Sequence, residues 1–463
     1  MRPLTLFFLL LGLATVAGVA LQRHADRQSA GEHPEVTPGE FQVSVLQAEV
    51  ARLKEELARK SARTSVQPPL PAAAAEKESF SLTGLARLVE TSRGLNFKRP
   101  PAMVPASRAE IHRRHAQAVA TIVSPEAAGW RVRVYEALGF RWQPRHPLDE
   151  ALTGLIEEQW AGFYDEAANT LFIDEAADYA RRPDLRARLI VDLARILLLQ
   201  NFDAARVPFG FDDGAMAAAV LPAGDALATQ VACQLADRLW AGLTPAPVPE
   251  LVPFFATPAW FKEWVRFPEN FGGAYREALL RRDPSATADA AYATPPRSTA
   301  AVIHADAGGG DAVPPPVAVT LPDVRISGKP AETTGVCGEL GIRLLLKSQL
   351  RREEIDSAAT GWRGDAYAVF RGDDSRSDAS VWLTEWRSPN DAAEFAGAAA
   401  TTLLAQSAIQ ESEDFHRPGG HFIADGNGRF LRIRCLPDDR RVLVINAGSA
   451  EVREALFQAA GDH

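Results

Sequence analysis

One long apolar segment constrains the fold of this chain more than any other feature. The stretch RARLIVDLARILLLQNFDAARVPFG, from Arg186 to Gly210, is mostly apolar up to a polar QNFD corner. A helix that is hydrophobic on nearly every side has to be buried. The segment therefore predicts a core helix, and 463 residues, 46% of them hydrophobic, are enough to build a core around it.

The N-terminal residues predict export. Arg2 precedes an uncharged, mostly apolar run from Leu4 to Leu21, which is typical of a secretory signal peptide or a signal anchor. The run is close to the roughly 20 residues that a membrane span needs, and GVA offers a cleavage site after Ala20. A cleaved signal in residues 1–21 and a single uncleaved anchor both stay open. In either case we expect the body of the chain in the periplasm, attached to the inner membrane, or outside the cell.

Residues 22–80 predict a stalk. Leu46, Val50, Leu53 and Leu57 are spaced by four, three and four residues, which is the apolar seam of a coiled coil. Only about two heptads are present, which favours a helical spacer with at most a weak homodimer contact. The stretch SVQPPLPAAAAEKES then predicts a linker rich in proline and alanine.

The remaining sequence predicts an α+β protein in two parts. Residues 81–306 have mainly helical periodicity, with one short strand in NTLFIDEAA and an alanine-rich helical region broken at Pro222 and Gly224. Residues 307–320 contain a glycine run and a proline run and predict a linker. Residues 321–463 alternate as strands around capped helices, with a hairpin turn at DGNG, and predict a smaller α+β domain with an antiparallel sheet.

Composition and cysteine content exclude several classes of protein. The net charge of −9 and the absence of a long basic stripe argue against nucleic acid as a partner. Three cysteines are too few for a disulfide scaffold, although Cys337 and Cys435 lie in one segment and would pair if they met in an oxidising compartment. Cys233 lies in an apolar helical pattern and is predicted to be buried. Trp382 and Trp386 share one face of a predicted strand, where they either pack on a helix or form a binding surface.

Several blocks, taken in order, resemble a family of bacterial zinc metallopeptidases of the gluzincin-like type. That family runs from EQVAGFYD through TLYV into a zinc helix of the form HELTHALQDQHFD and then an EGDA helix. This chain has EEQWAGFYDEAANTLFID, VDLARILLLQNFD and AGDALATQVA, followed by FPENFGGAYREAL, PPRSTAAVIHAD and CGELGIRLLL. The resemblance extends from about Trp130 to the C terminus. It implies a helical, zincin-like domain in residues 81–306 and an ancestry in peptide-bond hydrolysis.

The residues that such a site needs have been replaced. Two histidines one turn apart grip the zinc ion in a zincin helix, and a glutamate after the first activates water. The resemblance places the first histidine at Val191, the glutamate at Asp192, the second histidine at Arg195, and the third-ligand glutamate of EGDA at Ala223. Valine offers no lone pair and arginine is a permanent cation. The resemblance therefore implies a degenerate member with no catalytic residue, no metal and no other cofactor.

The other histidines do not supply a substitute cluster. His112 and His115 are three residues apart in HRRH, between two arginines, and this pattern predicts a solvated basic face. On the buried helix, the three-residue spacing of Asp192 and Arg195 predicts a local ion pair. Such a pair needs further hydrogen bonds when it is buried, and the candidates to supply them are Asp225, Arg206 and Tyr164.

These observations favour a catalytically inactive metallopeptidase-like protein that acts as a scaffold or binds a polypeptide partner. Two alternatives stay open. One is an active zinc metallopeptidase with ligands that the sequence does not reveal, and the other is a purely structural envelope protein.

Overall fold

The computed structural model describes residues 81–143, 146–207, 210, 212–236, 257–282, 288–306, 314–407, 421–426, 428–436 and 440–461. The predicted signal and stalk lie outside these residues. Phe80–His463 form one compact unit.

Twelve helices and nine strands lie in the described residues. The helices are α1 (Leu82–Arg93), α2 (Arg108–Ile122), α3 (Pro125–Ala137), α4 (Leu148–Gln159), α5 (Pro183–Asn201), α6 (Asp213–Ala236), α7 (Ala259–Arg282), α8 (Thr299–Ile303), α9 (Gly338–Leu346), α10 (Arg352–Ala359), α11 (Pro389–Ser407) and α12 (Ala450–Gly461). The strands are β1 (Ala102–Ala106), β2 (Gly162–Asp165), β3 (Thr170–Asp174), β4 (Thr333–Gly335), β5 (Trp362–Phe370), β6 (Ala379–Trp386), β7 (His421–Gly426), β8 (Arg429–Cys435) and β9 (Arg441–Ala447).

The predicted α+β class is confirmed. A three-stranded sheet in the order β1-β3-β2 lies among the first helices, with β1 parallel and β2 antiparallel to β3. A six-stranded antiparallel sheet in the order β4-β5-β6-β9-β8-β7 forms the C-terminal part. The stretch NTLFIDEAA supplies β3, as predicted, whereas no sequence pattern predicts β1.

The prediction that the alanine-rich helical region breaks at Pro222 and Gly224 is wrong. Helix α6 continues through both residues. The reason is packing against α7. A Cβ added at Gly224 would lie 2.1 Å from the carbonyl oxygen of Gly272, so the two backbones approach as closely as glycine allows. Contact between these helices outweighs the local tendency of proline and glycine to end a helix.

Helix α6 is, within the described residues, the one segment long and apolar enough to span a membrane. The apolar window has a mean hydropathy of 1.3, and 56% of it is buried inside the protein.

The two predicted parts share one hydrophobic core. The largest cluster of buried side chains contains Phe261 and Trp264 of α7 together with Leu344 of α9 and Trp362 of β5. The boundary at residues 307–320 stays a prediction, but the side chains on either side of it pack into a continuous interior.

The two tryptophans of β6 and two of the three cysteines lie in the interior. Trp382 and Trp386 are about 1% exposed and both rings pack against Phe395 of α11, so the helix-packing interpretation of this strand face is confirmed. Cys233 is buried, as predicted. Cys337 is also buried and does not pair with Cys435.

Candidate functional site

Asp192 holds the connection between α4 and β2. It lies in the middle of α5 with no exposed surface, and its Oδ2 accepts hydrogen bonds from the backbone N–H groups of Ala161 and Gly162 at 2.8 and 3.0 Å. These two donors lie where the chain leaves α4 and enters β2. Asp192, which the resemblance places at the position of the catalytic glutamate, thus accepts hydrogen bonds from backbone groups.

The other carboxylate oxygen of Asp192 has no hydrogen-bond partner among the described residues. It lies 4.0 Å from Nη1 of Arg195, which is long for an ion pair. Burial raises the pKa of Asp192 to about 7, although Arg195, Arg188 and the two backbone donors oppose the shift. The carboxyl group is therefore only partly ionised at neutral pH.

Arg195 is held by partners other than Asp192. Its Nη1 donates to the carbonyl oxygen of Gln159 at 2.8 Å, its Nη2 donates to Oε1 of Glu269 at 2.9 Å, and its guanidinium lies 4.9 Å from the ring centre of Trp160. Glu269 comes from α7, and burial raises its pKa. The predicted ion pair with Asp192 is present but weak, and the sequence pattern does not identify the main partner.

The prediction that Asp225, Arg206 or Tyr164 supplies further hydrogen bonds to the pair of Asp192 and Arg195 is wrong. Asp225 is buried and accepts from Arg93 at 2.9 Å, which ties α6 to α1. Arg206 pairs with Glu166 near the surface, and the hydroxyl of Tyr164 donates within its own hairpin. Backbone groups of the α4–β2 connection replace all three, and no sequence pattern identifies such long-range backbone partners.

A cavity of about 300 Å³ opens between α4, α5, α6 and α7. We call it the Arg195 cavity. Its lining residues are Ile156, Gln159, Trp160, Arg195, Leu199, Ala205, Val207, Gly210, Ala215, Met216, Ala219, Pro222, Ala223, Val265, Pro268 and Glu269. The structure thus brings two of the predicted positions, Arg195 and Ala223, into one cavity. Val191 is not among the lining residues and belongs to the apolar core around α5.

The residues present at these positions do not fit a zinc ion. Val191 and Ala223 carry no donor atom, and the cation of Arg195 points its hydrogen bonds at Gln159 and Glu269. Within the described part of the chain, no group of three or more His, Cys, Asp or Glu side chains is arranged to hold a metal. The charged groups of the site, Arg195 and Glu269, form an ion pair with each other.

The prediction of a solvated histidine face is wrong for His115. This side chain is 4% exposed, and its Nε2 donates to the carbonyl oxygen of Gly162 at 3.1 Å. Burial lowers its pKa to about 4, so the ring is neutral at pH 7. His112 is exposed as predicted, with its Nδ1 2.9 Å from Oε1 of Glu157. One turn of α2 therefore has a buried and an exposed histidine.

These histidines line a second cavity, of about 200 Å³, which the sequence does not reveal. We call it the Arg188 cavity. Its lining residues are Arg108, Ile111, His112, His115, Glu157, Trp160, Ala161, Asp174, Ala177, Tyr179, Leu185 and Arg188. The signal that points to it is Arg188, a cation two residues after Arg186 at the start of the mostly apolar part of α5.

Comparison with known proteins adds one finding. A family model described as a domain of unknown function (DUF8575) matches residues 325–456, which include the six-stranded sheet. No curated protein and no solved structure matches this chain.

Proposed function

We propose that this chain is a catalytically inactive, metallopeptidase-like protein, exported or anchored to a membrane, that binds a polypeptide segment in the Arg195 cavity. The observation that carries the proposal is the position of this cavity together with the pairing of its charged groups. It lies at positions where the resemblance expects metal ligands, yet its charged groups are paired with each other at 2.9 Å.

The wall of the Arg195 cavity favours an apolar side chain as the occupant. Ile156, Leu199, Met216 and Val265 supply hydrocarbon surface, and each Å² of apolar surface removed from water contributes about 25 cal/mol. A free ionic group would have to be desolvated without a partner, because Glu269 and Arg195 already neutralise each other. A cavity of about 300 Å³ has room for one large apolar or aromatic side chain.

A binding assay with a matched pair of variants tests this proposal. The full-length chain in mild detergent is titrated with fluorescein-labelled β-casein, an unfolded polypeptide, and binding is followed by fluorescence anisotropy. Ala219→Phe places a ring in the Arg195 cavity and is expected to weaken binding at least tenfold. Ala218→Phe changes the neighbouring residue of α6, which is also half-buried but does not line the cavity, and is expected to leave binding intact.

The same preparation distinguishes the scaffold from an enzyme. After exposure to zinc and desalting, we expect no stoichiometric zinc and no fragments of β-casein on a gel. Bound zinc together with cleavage would contradict the proposal and favour an active metallopeptidase with other ligands. Absence of casein binding in the unmodified chain would favour a purely structural protein.

A further inference from the structure

The inference concerns Arg188, which lies on α5 one turn before Asp192. Its Nη2 donates to the carbonyl oxygens of Glu157, Glu158 and Trp160 at 3.1, 3.0 and 2.8 Å. These carbonyls lie at the C-terminal end of α4, where helical carbonyls lack partners within the helix. One nitrogen of the guanidinium therefore closes the end of a helix.

The other two nitrogens of the Arg188 guanidinium make no contact of this kind. Nε and Nη1 of Arg188 have no hydrogen bond within the described residues, and neither atom is sealed from solvent. No carboxylate in the described part of the chain forms an ion pair with Arg188, although Asp192 lies close enough to be affected by its charge. A half-buried arginine without a counter-ion is uncommon, because charges in such places are generally paired.

Two carboxylates line the Arg188 cavity, and neither forms an ion pair with Arg188. Arg108 at the rim is 72% exposed and already paired with Asp174, and His112 is paired with Glu157. Deeper in the cavity, burial raises the pKa of Tyr179 to about 12, so its phenol remains a neutral hydrogen-bond donor at pH 7.

We propose that the Arg188 cavity binds a carboxylate group, which accepts a charge-assisted hydrogen bond from either Nε or Nη1 of Arg188 and a further one from the hydroxyl of Tyr179. Hydrogen bonds of this type are about twice as strong as neutral ones. The carboxylate belongs to the C terminus of a peptide or to a small carboxylic acid, since a cavity of about 200 Å³ accepts either. This site does not depend on the Arg195 cavity, although Trp160 lines both.

Calorimetric titration of the full-length chain tests the proposal with two matched pairs of probes. One pair is N-acetyl-Ala-Ala-Leu with a free carboxylate and the same peptide as a carboxamide. The other pair is sodium propionate and propionamide. We expect a carboxylate probe to bind at least tenfold more tightly than its amide. Tight binding of the peptide alone identifies a peptide terminus as the ligand, and tight binding of propionate identifies a small acid. Equal affinity within both pairs, or no binding of any probe, overturns the proposal.

Variants locate the binding in the cavity. Arg188→Gln is expected to abolish the preference for the carboxylate, and Arg188→Lys is expected to retain most of it. Because Arg188 also closes α4, Ala177→Phe provides a second test that blocks the cavity and keeps the arginine. Its control is Ala176→Phe, at the exposed neighbouring residue outside the lining. Unchanged carboxylate binding in Ala177→Phe refutes the assignment. Ala219→Phe, which tests the Arg195 cavity, is expected to leave carboxylate binding unaltered.

Discussion

Replacement of Arg195 by alanine tests how the helices around the Arg195 cavity are held together. The substitution removes the hydrogen bonds to Gln159 and Glu269 and the ring contact with Trp160. The side chain of Arg195 is 11% exposed and that of Glu269 is 23% exposed, so both charges are largely screened from water by protein. Removing one partner of such a pair leaves the other charge buried without compensation.

The expected loss is about 3 kcal/mol in the free energy of unfolding. A hydrogen bond that involves a charged group contributes about 1.5 to 3 kcal/mol, and two are lost. Partial exposure of Glu269 reduces the sum. Glu269 is also able to take up a proton, because burial already raises its pKa. The loss is therefore expected to be smaller at pH 5, where more of Glu269 is protonated, than at pH 8.

Urea denaturation at equilibrium, followed by tryptophan fluorescence and circular dichroism, measures this loss. Arg206→Ala is the control, since Arg206 also forms ion pairs with two carboxylates but is 43% exposed. Exposed pairs contribute little to stability. If Arg195→Ala is no less stable than Arg206→Ala at pH 8, the buried ion pair does not support the fold and the reasoning fails.

The same denaturation assay checks three further predictions. Gly272→Ala is expected to cost about 1 to 3 kcal/mol, because the new Cβ would lie 2.5 Å from a backbone nitrogen of α6, whereas Gly273→Ala has no atom within 4 Å and is expected to be neutral or slightly stabilising. Asp365→Asn is expected to cost about 2 to 4 kcal/mol, since its carboxylate accepts from two backbone and two indole N–H groups and an amide nitrogen cannot accept. Asp192 has a folded pKa near 7, above the ordinary aspartate value of 3.8, so it holds a proton more tightly when folded and its contribution to stability falls as pH rises from about 4 to 7. His115 has the opposite effect on stability between its folded pKa of about 4 and its ordinary value of 6.5. The contribution of Asp192 is therefore measured as the difference in the free energy of unfolding between wild type and Asp192→Asn at each pH. In Asp192→Asn, the fall in stability with rising pH that Asp192 causes should be absent.

Periodicity predicts the elements whose packing follows from one strip of sequence. The buried helix α5, the capped start of α1 at Ser81 and the strands of the six-stranded sheet follow from local spacing, capping and alternation. These features need only the neighbouring residues. The class of the fold therefore follows from the sequence alone.

The wrong predictions concern partners far away in the chain. The sequence predicts one strand before residue 307, yet GFYD forms the additional strand β2 because β3 offers it an antiparallel partner. The residues around His115 predict exposure to solvent, yet the carbonyl oxygen of Gly162 accepts from its ring. The continuity of α6 depends on Gly272, 48 residues after Gly224. In each case a contact between distant segments decides the outcome, and a single sequence does not reveal such contacts.

One stripe of α5 accounts for the polar residues that make this helix unusual. Arg188, Asp192 and Arg195 are spaced by four and three residues, so they share a face of the helix. Together they serve six consecutive backbone groups at residues 157–162: the two arginines bind the carbonyl oxygens of residues 157–160, and the aspartate binds the N–H groups of residues 161 and 162. Cations at the C-terminal end of α4 also complement the helix dipole. This face of α5 therefore binds the end of a neighbouring helix, which explains why a buried helix has three charged residues on one side.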